Sequence, residues 1–136
     1  MHLKINGLQH IGIPVTDLKR SEVFYESLGF KNVMSSQFEI NNEKGFVSMM
    51  QKDALIIEIY QMPPAELEEV KSRKNGHIDH IAFDVDDIDA SFTLLKSNGY
   101  TILEASPIFL NFWSKGCKYF NILGPDGERL EFNQIL

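Results

Sequence analysis

His10-Ile11-Gly12-Ile13-Pro14-Val15-Thr16-Asp17-Leu18 and His80-Ile81-Ala82-Phe83-Asp84-Val85-Asp86-Asp87-Ile88 align without a gap, the second following the first by 70 residues. The same register pairs Ser21 with Ser91, and Gly29-Phe30 with Gly99-Tyr100. A repeat at fixed spacing marks a duplicated structural unit. Within the first copy Ile11, Ile13 and Val15 alternate onto one face of a strand, and His10, Gly12 and Pro14 take the other. In the second, Ile81, Phe83 and Val85 oppose His80, Ala82 and Asp84. Each histidine therefore points away from the large-apolar face.

Each strand leads into a helix. Asp17 and Asp87 stand at the N-cap, where a short side-chain acceptor meets the first free backbone N–H groups. Leu18, Phe24, Tyr25 and Leu28 form the expected apolar stripe of the first helix, and Ile88, Phe92, Leu94 and Leu95 that of the second. Gly29 and Gly99 fall where a helix ends in a left-handed residue. Three strands are expected after each helix, at 31–38, 46–51 and 55–60 in the first copy and at 101–105, 118–123 and 130–135 in the second. Turns are read at 41–45 and 124–127. The modules, each βαβββ, cover about 8–61 and 78–136 of a single 136-residue domain, joined by a linker at 62–77 with a short polar helix at 65–72.

The last strand of each copy carries one acid on the face opposite its Leu and Ile residues. These are Glu58 in Leu55-Ile56-Ile57-Glu58-Ile59-Tyr60 and Glu131 in Arg129-Leu130-Glu131-Phe132-Asn133, 73 residues apart. A glutamate inside an apolar strand is costly to bury unless it meets a cation. Two imidazoles and two carboxylates suit Zn, Ni, Co, Mn or Fe, and two carboxylates neutralise a divalent ion. His10, Glu58, His80 and Glu131 are thus the expected ligands of one divalent metal, with open positions for two adjacent substrate oxygens. His77 rivals His80, but the repeat selects His80, and alternation puts His77 on the other face. His2 reads as a tail residue. The aromatic stretch 107–116 reads first as a core or dimer contact and second as the wall of an apolar substrate pocket. Phe109 and Trp113, with Tyr119, are its candidate substrate-binding residues.

Composition excludes several classes. With a net charge of −6 and scattered Lys and Arg, the chain has no electrostatic footprint for nucleic acid or an anionic membrane surface. No segment reaches the roughly 20 apolar residues of a membrane span. One cysteine, Cys117, makes an internal disulfide framework impossible and reads as a small packed residue. The first residues show no apolar run with a small-residue cleavage site, so a cytoplasmic location is expected. The segment 124–128 lacks the Lys-Ser/Thr ending of a phosphate-binding P-loop.

The motifs His10-Ile-Gly-Ile-Pro-Val-x-Asp-Leu, Ile-Ile-Glu58-Ile, His80-Ile-Ala-Phe-Asp-Val and Gly-Pro-Asp-Gly-x-x-Leu-Glu131-Phe together resemble the vicinal oxygen chelate superfamily, the group of glyoxalase I, bleomycin-resistance proteins, extradiol dioxygenases and methylmalonyl-CoA epimerase. The resemblance runs from about residue 8 to 135. It implies an α+β fold in which both modules form a curved, mostly antiparallel sheet, a half-open barrel around the metal. A His, Glu, His, Glu set is similar to that of glyoxalase I, whereas the epimerase usually has Gln in place of Glu58. The implied activity is that of a glyoxalase I-type lyase or isomerase, working as a homodimer on a small molecule with adjacent oxygens. Ni, Zn or Co is the expected metal, ahead of Mn or Fe, and Glu131, or else Glu58, carries the proton. Epimerase, ring-cleaving dioxygenase and non-enzymatic resistance protein are the alternatives. Glyoxalase I commonly places an arginine for the glutathione carboxylate four residues after its first His; here that residue is Pro14, so another thiol adduct or a different chelating substrate fits better.

Overall fold

The computed structural model describes residues 1–73, 78–123 and 129–136. The chain divides into two compact units, His10–Asp79 and a second that joins Met1–Gln9 to His80–Leu136. This division crosses the repeat. Strand β1 (Gly7–Pro14) begins in one unit and ends in the other. The N-terminal residues belong with the second unit because they bond to it. Leu3 packs on its core. Lys4 pairs with Asp86, and the Asn6 backbone N–H donates to the Asp84 carbonyl at 2.9 Å. His2 lies just before this anchored stretch and is exposed.

The first unit contains α1 (Leu18–Ser27), β2 (Lys31–Ile40), β3 (Glu43–Lys52), β4 (Leu55–Gln61) and α2 (Pro64–Ser72). Its strands lie in the order β2-β3-β4-β1. β1 runs parallel to β4, with Ile11 opposite Ile57 and Gly12 opposite Glu58. The other pairs are antiparallel. The turn expected at 41–45 is shorter: Asn41 and Asn42 alone make it, at φ +52° and +64°, the left-handed pair that a two-residue hairpin requires. β2 and β3 therefore extend to Ile40 and from Glu43.

The second unit contains β5 (His80–Asp84), α3 (Ile88–Ser97), β6 (Ile108–Leu110), β7 (Cys117–Leu123) and β8 (Arg129–Ile135), in strand order β5-β8-β7-β6. β5 runs parallel to β8, with Ala82 opposite Glu131. The strand expected at 101–105 is not one. Only Ile102 makes a bridge, to Ile122. The carboxylate of Glu104 takes the Asn121 backbone N–H at 2.6 Å, where a ladder strand would offer a carbonyl. The edge strand is instead β6, inside the aromatic stretch 107–116. The chain then turns back to β7 through Trp113 at φ +67° and Gly116 at φ +89°. The expected turn at 124–127 and the rival ligand His77 lie outside the described residues.

Both helices start as expected. Asp17 accepts the Arg20 N–H and Asp87 the Ala90 N–H, each at 2.9 Å. A second cap repeats as well. Gln61 accepts the Leu18 N–H at 2.9 Å and Gln134 the Ile88 N–H at 3.0 Å, so the last strand of each module ties down its helix. Gly29 and Gly99 follow the helix ends at φ +91° and +79°.

The cores lie between each helix and its sheet. In the second unit Ile88, Phe92 and Leu95 of α3 pack on Phe120, Ile122 and Phe132. The Phe120 and Phe132 rings stack at 5.2 Å, and Phe92 meets Phe120 edge-on at 5.2 Å. In the first unit Met50, Ile57 and Ile59 are covered by Ile13, Leu18, Tyr25 and Phe30. The expected stripe of α1 is only half right there: Phe24 and Leu28 are exposed, and Glu22 is the buried residue of the helix. Glu22 turns inward because it has donors to meet. Ser48 Oγ lies 2.6 Å away, Asn32 Nδ2 3.1 Å and Lys19 Nζ 3.1 Å.

Candidate metal centre

The two histidine–glutamate pairs have one construction. In the first unit a small residue, Gly12, stands opposite Glu58 across the parallel β1–β4 pair. His10 precedes Gly12 by two positions and so shares its face. His10 Nε2 then reaches Glu58 Oε2 at 3.2 Å. In the second unit Ala82 stands opposite Glu131, His80 precedes it by two, and His80 Nε2 lies 3.5 Å from Glu131 Oε2. His10, His80 and Glu131 are buried, and the Glu58 side chain is nearly so. The opposite face of each strand pair carries Ile57 and Ile59, or Leu130 and Phe132, into the helix-side core.

The surroundings of the two acids differ. Across the antiparallel ladder Glu58 faces Met49, and Val47 and Tyr60 lie on the same face, all buried. Phe38 continues this apolar wall, its ring over Gly45 and edge-on to Tyr60 at 6.4 Å. Glu131 instead faces Asn121, with Asn133 two residues along its own strand. Asn133 Nδ2 donates to Glu131 Oε1 at 2.8 Å, which leaves Oε2 as the oxygen turned to His80. Asn121 Nδ2 donates to Glu104 Oε1 at 2.8 Å.

The candidate substrate-binding residues separate. Tyr119 pairs with Asn133 and lies on the Glu131 face. Phe109 pairs with Lys118, which puts it on the other face, where it is exposed and packs against Gly116. Trp113 sits in the turn between β6 and β7, half-buried, with its Nε1–H meeting no acceptor among the described residues. Cys117 is buried and forms no disulfide. Sequence reasoning missed Asn121, Asn133 and Glu104. The signal for the asparagines was present, since each holds a position of the Glu131 face by strand alternation.

A fold of two βαβββ modules, each with a His on its first strand and a Glu on its last, defines a class. The chain belongs to the Glyoxalase/Bleomycin resistance protein/Dioxygenase superfamily, which it matches over residues 7–132. It is 35% identical over 132 residues to the uncharacterized protein YwbC of Bacillus subtilis (strain 168), covering 93% of this chain and 96% of that one. Among solved structures, the methylmalonyl-CoA epimerase of Mycobacterium tuberculosis superposes with a TM-score of 0.78 at 21% identity, covering 100% of this chain and 92% of the other. A Streptomyces coelicolor methylmalonyl-CoA epimerase gives 0.73 at 22%, over 96% and 98% of the two chains. The 4-hydroxymandelate synthase of the same organism gives 0.71 at 16%, over 93% of this chain and 48% of that one. These likenesses establish the α+β fold. No helix among the described residues is long and apolar enough to cross a membrane.

Proposed function

We propose that this chain is a metal-dependent enzyme that binds a small molecule through two adjacent oxygens and moves a proton at the carbon beside them, in an epimerase- or isomerase-type reaction. One divalent ion would be held by His10, Glu58, His80 and Glu131. The observation that carries the reading is the repeated buried pair, at 3.2 Å in one unit and 3.5 Å in the other. His10, Glu58 and His80 are a donor set of the kind that holds a metal ion. Two carboxylates fit a divalent charge, and imidazole with carboxylate suits Ni, Zn or Co first and Mn or Fe after them. When bound, such an ion supplies Lewis acidity toward the substrate oxygens.

The chain's own residues supply the rest. Glu131 is assigned the proton transfer, as its carboxylate is held at Oε1 by Asn133. Glu58, against Met49 and Val47, is the ligand from the apolar wall. Tyr119 is the aromatic residue best placed to meet substrate on the Glu131 face; Phe109 and Trp113 are assigned to the edge of the second unit. The protein is assigned to the cytoplasm as a homodimer, in keeping with its single cysteine and its family.

The epimerase-type reading takes precedence over a glyoxalase I-type lyase for two reasons. The similar structures include epimerases, and Pro14 stands where a glutathione-binding arginine would. Glu58 favours the lyase as the second reading, because the epimerase resemblance calls for Gln there. The test has two parts. Metal analysis of the purified chain is expected to give about one divalent ion, and Glu58→Gln is expected to bind it roughly tenfold or more weakly. Deuterium uptake from D2O, followed by NMR on methylmalonyl-CoA and on a methylglyoxal–thiol hemithioacetal, then separates the reactions. Exchange at the branched carbon without carbon–sulfur rearrangement supports the epimerase type. Conversion of the hemithioacetal to a thioester supports the lyase. A chain that retains no metal and exchanges neither substrate would contradict both.

A further inference from the structure

Asn121 and Asn133 flank Glu131 on one face of the second unit's sheet. The ladder puts Asn121 directly across from Glu131 and puts Asn133 across from Tyr119, so the two amides are diagonal neighbours. Both residues are 4% exposed. Their orientation is fixed by chemistry. An ionised carboxylate only accepts hydrogen bonds. Asn133 must therefore turn its NH2 to Glu131, and Asn121 its NH2 to Glu104, each at 2.8 Å. The two carbonyl oxygens are consequently left facing elsewhere. Neither Asn121 Oδ1 nor Asn133 Oδ1 meets a donor among the described residues. Buried acceptors without donors are costly and uncommon, and two beside one candidate metal ligand point to a ligand that brings the donor.

We infer that Asn121 and Asn133 recognise a hydroxyl or N–H group on the substrate, next to the oxygens it offers the metal. The inference rests on the metal reading above and narrows it. The substrate class becomes α-hydroxy carbonyl compounds, which carry a donor beside the chelating pair. A 1,3-dicarbonyl thioester, which presents only acceptors there, leaves both amide oxygens unmatched, so the inference keeps the metal and the proton transfer of that reading and puts a hydroxylated substrate in place of a methylmalonyl-type one. A site built to satisfy a polar group rejects an analogue that lacks it more strongly than an apolar pocket rejects an added one.

The test uses two probes that offer the same oxygen–oxygen chelate and differ in one donor. Acetohydroxamic acid keeps an N–H; N-methylacetohydroxamic acid has none. Binding of each to the full chain loaded with Ni2+ is measured by calorimetry, normalised to its affinity for free Ni2+. The expected result is about tenfold tighter binding of the N–H probe to the wild-type chain. That preference should fall to near unity in Asn121→Ala and Asn121→Leu, with Ni2+ affinity unchanged. Equal normalised affinities in the wild-type chain would overturn the inference and leave the metal reading standing, whether or not the variants fold. A preference that persists in both variants would also overturn it, because the bulk of the methyl group would then be the cause. A wild-type chain that holds no Ni2+ and binds neither probe would remove the metal reading itself.

Discussion

The two modules share a backbone plan and differ in what surrounds their acids. Each sets a histidine two residues before a small residue, and each sets a glutamate opposite that small residue. Around Glu58 the same-face neighbours are Met49, Val47 and Tyr60; around Glu131 they are Asn121, Asn133 and Tyr119. Duplication thus kept the histidine–glutamate pairs and let the walls diverge. One wall is apolar and contributes shape. The other is amide-lined and contributes hydrogen bonds. The cores diverge in parallel: the second unit packs three phenylalanines together, two stacked and one edge-on, whereas the first covers a Met and two Ile residues with Tyr25 and Phe30 and buries a hydrogen-bonded carboxylate beneath α1.

The largest stability effect is expected at the stacked core. Phe120→Ala removes a fully buried ring that touches both Phe92 and Phe132, and should cost about 3–5 kcal/mol in chemical denaturation. If denaturation also shows the first unit unfolding in the same transition, the modules are one cooperative body; a separate first-unit transition would make them independent.

The paired glycines sharpen the comparison. Phe38 lies on Gly45 and, 71 residues on, Phe109 lies on Gly116, each ring 2.3 Å from where a Cβ would be. Gly116 also holds φ +89° and would put its Cβ 2.9 Å from the Leu110 carbonyl oxygen. Backbone cannot swing aside as a ring can, so Gly116→Ala should lower stability by about 1–3 kcal/mol. Gly45→Ala should cost less, about 1 kcal/mol, with Phe38 displaced. Equal costs would mean that the ring contact, not the backbone, governs both positions.

A smaller effect, and a pH-dependent one, belongs to Glu22. Burial pushes its carboxyl upward, but bonds from Ser48, Lys19 and Asn32 outweigh that, and the net shift is below the ordinary value of 4.5. A depressed pKa in the folded state gives stability that is present above 4.5 and is lost as pH falls through the folded value. Glu22→Gln should therefore cost roughly 1–2 kcal/mol at pH 7, with the gap to wild type closing as the pH is taken well below 4.5 in urea titrations. A gap that is constant with pH would assign the effect to packing alone.

Much of the fold was legible in the repeat. The 70-residue register located both first strands, both N-caps and both C-terminal glycines, because these depend on local backbone chemistry. The four candidate ligands were legible for the same reason, as alternation assigns each to a face. What stayed hidden depends on partners distant in sequence. Glu22 stands outside the apolar stripe expected of α1, and its burial follows only from Ser48 and Asn32, which lie beside it. The expected strand at 101–105 is lost because a side chain, Glu104, takes the place of a backbone acceptor. Phe109, a candidate substrate residue in a stretch read first as a core or dimer contact and second as a pocket wall, lies by strand register on the face away from Glu131. Asn121 and Asn133 became informative only once carboxylates were seen to fix their amides.

The central claim is that both buried pairs serve one ion. Metal titration of wild type, His10→Ala and His80→Ala by calorimetry addresses it most directly, because each variant disables one module. The expected result is one ion per chain in the wild type and a loss of about a hundredfold in affinity in both variants, as each ligand carries roughly a quarter of the binding free energy. Two ions per chain, or wild-type binding in either variant, would show that the pairs act separately and would contradict the claim.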